Sequence, residues 1–143
     1  MAKRKRLPRV ENLVRIAEVR SFNVSMSADI TDAKSATPRR SSSARLVVRG
    51  VMDEAVKGTS EIRISVREAK DDNLGTTRPA VVGYVFGTKP EVNVVVTVEP
   101  KLFERAWSLA LSGHLKHVWL SLTPPHYGNA DVPSISFSNE PIE

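Results

Sequence analysis

Cysteine is absent from the 143 residues. That removes disulfides, thiolate metal sites and any cysteine nucleophile. No apolar run approaches the roughly 20 residues that a membrane-spanning helix needs, so no transmembrane segment is expected. Signatures of common catalysts are missing as well. No Gly-x-Ser-x-Gly elbow occurs, and no Gly-x-Gly-x-x-Gly precedes a helix. "GYVFGTKP" at 83–90 holds glycine, threonine and lysine in the wrong order for a phosphate loop, and Pro90 follows Lys89 where the helix of such a loop would begin. Together these absences make an enzyme the weaker reading, and they imply no cofactor.

Aromatic residues are scarce, at 6% of the chain, and none lies among the first nine residues. That opening stretch, "MAKRKRLPR", carries five cations instead. The start looks like the n-region of a signal peptide, but Leu7 is followed by Pro8 and Arg9 and no apolar h-region develops. No signal peptide is therefore expected, and the location read from the sequence is cytoplasmic or otherwise intracellular. The sequon at Asn23 then reads as a chance match.

Charge is unevenly placed. Residues 1–50 hold 12 Lys/Arg against 4 Asp/Glu, a net of +8, whereas residues 51–143 hold 9 against 12, a net of −3. The overall +5 is thus a property of the N-terminal third. Residues 1–9 read as a disordered basic arm, since nothing apolar there repays the entropy of ordering it.

The remainder, 10–143, reads as a single β-rich domain. From Val10 to Val19 helical and strand patterns compete. Beyond them Phe22, Val24 and Met26 alternate with Asn23, Ser25 and Ser27, the period of a half-buried strand. Residues 28–44, rich in Ser, Thr and Ala, have no apolar period and are expected to form a mobile loop. Strands follow at 45–52, 61–68, 80–87 and 91–99. Ile62, Ile64 and Val66 share one face of the second, with Glu61, Arg63, Ser65 and Arg67 on the other. The run 80–87 is apolar on both faces, which predicts a central strand.

"PKLFERAWSLALSG" predicts an amphipathic helix over about 100–112, opened by Pro100 and stopped by Gly113. Strands at 116–122 and 134–137 complete the pattern. Short strands with frequent turns and one late helix predict a mainly β protein, an antiparallel β-sandwich of about seven strands with that helix.

Three sets of residues suggest chemistry. His114 and His117 are spaced His-x-x-His, but Gly113 ends the helix before them, and on a strand positions i and i+3 face opposite ways, so no metal site is expected. His126, Tyr127 and Asp131, in the loop 124–133 stiffened by Pro124 and Pro125, are the residues that an enzyme or a small-ligand site would use. The strongest hint is cationic. Lys3, Arg4, Lys5, Arg6 and Arg9, with Arg39 and Arg40 second, are the candidates for contacting nucleic acid non-specifically through its phosphates. The expected function is therefore non-enzymatic binding or assembly, with nucleic acid, a second copy or another protein as partner. A small sandwich carrying a basic arm is also the layout of many coat subunits that package nucleic acid, a likeness of plan alone.

Overall fold

A computed structural model describes residues 12–31, 34, 36, 39–69 and 81–140. The expected disordered arm, 1–9, lies outside the described residues. The elements are β1 (Leu13–Thr31), β2 (Arg39–Val56), β3 (Thr59–Glu68), β4 (Gly83–Gly87), β5 (Val92–Val98), α1 (Pro100–Leu111), β6 (His117–Leu122), β7 (Ala130–Val132) and β8 (Ser134–Ser138). They form one sheet in the order β7-β4-β5-β3-β2-β1-β6-β8. All pairings are antiparallel except β3 with β5, which run parallel.

The mainly β class with one helix is as the sequence predicts. The sandwich is roughly matched by a single mixed sheet that curls until it is nearly closed. Closure has a covalent cause. The two edge strands, β7 and β8, are consecutive in the chain with only Pro133 between them. The gap is narrowed at Thr123, just past β6. Its N–H donates to the carbonyl of Asp131 at 2.9 Å, and its hydroxyl accepts the Asp131 N–H at 2.8 Å.

Alternation decides what fills the interior. Leu46, Val48, Ile62, Ile64, Val66, Val94 and Val96 are all essentially inaccessible and come from three neighbouring strands, so their apolar faces meet on the concave side. The segment where helix and strand patterns compete is strand from Leu13 onward, with Ala17 buried opposite Val118 of β6.

Helix α1 carries the chain from the end of β5 to the start of β6, which lie four places apart in the sheet. Phe103, Ala106 and Ala110 are its buried residues, and Phe103 packs on Trp107 with ring centroids 5.5 Å apart. Its C-terminus is a Schellman closure. The N–H groups of Gly113 and His114 donate to the carbonyls of Ala110 and Leu109, with Gly113 at φ 77°.

Part of the segment expected as a mobile loop, 28–44, is paired strand. β1 runs to Thr31 and β2 starts at Arg39, with Thr31 opposite Arg39 and Ala28 opposite Ser42. The correction has a physical reason. A ladder is made by backbone groups, so Ser- and Ala-rich residues can extend a register already fixed by apolar pairs such as Phe22 with Val48 and Val24 with Leu46. β1 pairs with β6 only over Leu13–Glu18, and β2 pairs with β3 from Arg45 onward. Beyond those limits the hairpin is a two-stranded ribbon.

Candidate nucleic-acid interface

On β2, Leu46 and Val48 point into the core, so Arg45, Val47 and Arg49 point out. On β3, Ile62, Ile64 and Val66 point in, and Arg63, Ser65 and Arg67 point out. The register then brings two arginine pairs together, Arg45 opposite Arg67 and Arg49 opposite Arg63, with Val47 opposite Ser65 between them. Directly opposed residues sit with Cβ atoms roughly 5 Å apart, and like charges so placed are destabilising.

Among the described residues no ion pair joins a carboxylate to any of the four. The ion pairs among those residues are Arg15 with Glu54 at 3.2 Å and Arg20 with Glu18 at 3.6 Å. Arg45, Arg49 and Arg67 are exposed and Arg63 is half-buried, with its Nε buried and without a hydrogen-bond partner. Val47 and Ser65, although they face outward, are buried. The charged heads therefore stand around a closed floor.

The same convex face continues onto β5 and β4. Asn93 lies beside Arg63, Val95 beside Ser65 and Thr97 beside Arg67. Across from β5, Tyr84 is opposite Val95. Val85 of β4 is buried, whereas Tyr84 and Phe86 on either side are 51% and 50% exposed. Their ring centroids lie 6.4 Å apart in an edge-on arrangement. The run that is apolar on both faces is thus not enclosed on both. β4 lies second from the sheet edge, covered on its inner side only.

Gly83 and Gly87 fit the close packing and bulge that their place in a strand suggests. A Cβ at Gly83 would run into the Val95 carbonyl of β5, and the β4–β5 register shifts between Val85 and Gly87.

The cationic residues singled out in the sequence are distributed differently. Lys3, Arg4, Lys5, Arg6 and Arg9 lie outside the described residues. Arg39 and Arg40 open β2 at the far end of the ribbon, opposite Thr31 and Ile30. Arg40 is five residues from Arg45, about 17 Å along an extended strand, so this pair stands apart from the four-arginine block.

The histidines have structural partners. His114 Nδ1 lies 3.2 Å from the Ser112 hydroxyl at the helix end. His117 is buried, and its Nδ1 lies 2.6 Å from the Glu140 carbonyl oxygen, tying the C-terminal segment to β6. No group of three metal-capable side chains occurs among the described residues.

His126 and Asn129 close a two-residue hairpin, each N–H donating to the carbonyl of the other at 2.8 and 3.0 Å. Tyr127 and Gly128 occupy its centre with φ of 52° and 77°, as a type I′ turn demands. Tyr127 is 91% exposed and its ring meets the His126 ring edge-on at 4.3 Å. Asp131 belongs to β7, opposite Tyr84. The segment 123–133, expected as a loop, is thus a tight turn leading into a strand.

The four-arginine block eluded sequence reading although its components were visible. The spacings Arg45-x-x-x-Arg49 and Arg63-x-x-x-Arg67 each place two cations on one strand face. Only the β2–β3 register makes them a block. No protein-family model, curated protein or solved structure matches the chain.

Proposed function

We propose that this protein is a non-enzymatic binder of nucleic acid, holding phosphates on the convex face of β2 and β3. One observation carries this: two arginine pairs directly opposed across a ladder, with no carboxylate partner among the described residues. A fold gains nothing from such an arrangement, and a polyanion laid across it relieves the repulsion. Lys3, Arg4, Lys5, Arg6 and Arg9, and Arg39 and Arg40 at the ribbon end, add sequence-independent contacts.

Titrating the full-length chain against a labelled random oligonucleotide across a salt series tests the proposal. Four phosphate contacts on a single strand predict a slope of log K against log salt of roughly −3, steeper with the N-terminal cations engaged. The double variant Arg49→Ala, Arg63→Ala should flatten that slope by roughly one to two. Absence of binding by the wild-type chain at low salt would remove nucleic acid as the partner.

Self-assembly is the second reading, and the ribbon favours it. Phe22, Val24, Met26, Ala28 and Ile30 share one face, on which Met26 is 76% and Ile30 57% exposed. Monomeric proteins tend to avoid such contiguous apolar exposure.

A further inference from the structure

We propose that this face takes single-stranded nucleic acid, with bases stacked on Tyr84 and Phe86 and the adjoining phosphates carried by Arg63, Arg67, Arg49 and Arg45. This rests on the nucleic-acid binding proposed above and narrows it to one form of the polymer.

The ring positions are not a by-product of core packing. Val85, between them, fills the core, while Tyr84 and Phe86 project outward and keep half their surface in contact with solvent. The chain has only two tyrosines and four phenylalanines, so this exposed pair is a large share of a scarce residue class. β5 alone separates β4 from β3, and at the usual strand spacing the rings stand roughly 10 Å from the nearer arginines. The strip between them consists of Asn93, Val95 and Thr97, uncharged side chains that allow a sugar-phosphate chain to cross.

Charge orients the strand. The acidic neighbours of the path flank the arginine block: Asp131 on β7, beside Tyr84 at the rim away from the arginines; Glu61 on β3, two residues before Arg63; Glu18 on β1, opposite Val51; and Glu91 and Glu99, just before and just after β5. Phosphates are therefore favoured over β3 and β2, and base faces over β4. Stacking on exposed rings beside a cationic track is sequence-tolerant and needs unpaired bases, because a duplex buries its base faces against each other. Arginines alone would serve a duplex equally well. The rings favour the open strand. DNA and RNA share the chemistry that the rings and cations recognise.

The experiment is fluorescence anisotropy with the full-length chain. The probes are a labelled oligothymidylate, an oligouridylate, an abasic strand and a duplex, all of one length. The single strands should bind at least tenfold tighter than the abasic strand and the duplex. Tyr84→Ala and Phe86→Ala should each weaken single-strand binding by roughly five- to a hundredfold. Tyr84→Phe, which keeps the ring, should restore most of it, and a melting curve for each variant confirms folding.

Equal affinity of wild type for duplex, abasic and single strands overturns the inference. So does unchanged binding by folded alanine variants. In either case a loss with Arg49→Ala, Arg63→Ala leaves the phosphate face standing. If no probe binds at low salt, both proposals fall. A preference between the thymidylate and uridylate probes that persists when oligodeoxyuridylate replaces the thymidylate identifies the polymer by its sugar.

Discussion

At the scale of the residue, the arginine block sets binding against stability. Arg49 and Arg63 face each other on neighbouring strands, as do Arg45 and Arg67. Opposed like charges cost a few tenths of a kcal/mol to about 1 kcal/mol, and opposed unlike charges return a similar amount. Arg63→Glu should therefore raise stability by about 0.5–1 kcal/mol in chemical denaturation while lowering affinity for oligonucleotide. A variant that lost stability and kept its affinity would show that Arg63 serves the fold. Arg15 shows the contrast: its side chain is largely buried, and it pairs with Glu54 at 3.2 Å.

At the scale of the element, the β1–β2 ribbon is the least supported part of the fold. Past Glu18 on β1 and before Arg45 on β2 each strand has a single partner, and isolated two-stranded ribbons are marginal in water. Its outer edges carry backbone groups that a second chain could pair with. An open groove of about 400 Å³ lies at its base, lined by Met26, Ser27, Ala28, Ser43, Ala44 and Glu68. If the ribbon docks a second copy, sedimentation velocity should show association that grows with concentration and that Met26→Glu abolishes. A wild-type chain that stays monomeric throughout would end the assembly reading. Helix α1, by contrast, is anchored within the molecule by its buried Phe103, Ala106 and Ala110 and by its Schellman end.

At the scale of the whole molecule, the near-closed sheet depends on contacts distant in sequence. β1 meets β6 across about a hundred residues, and the Thr123–Asp131 contact draws the last gap together. Removing the Thr123 hydroxyl leaves the Asp131 N–H without that acceptor, so Thr123→Ala should cost about 1 kcal/mol or more in thermal or denaturant unfolding. A change below a few tenths would mean that water replaces the hydroxyl, and that the backbone bond from the residue 123 N–H to the Asp131 carbonyl suffices beside Pro133 to hold the edges together.

Strand alternation in 45–52, 61–68 and 91–99, the single helix with its Pro100 start and Gly113 stop, and the outward direction of Arg63 and Arg67 were legible in the chain itself. Each follows from local geometry, a period of two or of 3.6 acting on neighbouring residues. β7 was hidden because three residues inside a Pro- and Gly-rich stretch leave no period to detect. The strand pairing of 28–31 with 39–44 was hidden because Ser- and Ala-rich backbone joins a ladder without apolar alternation. Register belongs to none of these local signals. Which arginine faces which, and how near Tyr84 and Phe86 stand to them, depends on pairings between strands tens of residues apart. On β2 and β3 the sequence determined which side chains leave the core, whereas on β4, apolar on both faces, it did not single out Tyr84 and Phe86. Tertiary structure alone decided that they leave it side by side, because long-range backbone hydrogen bonds and core packing set the register.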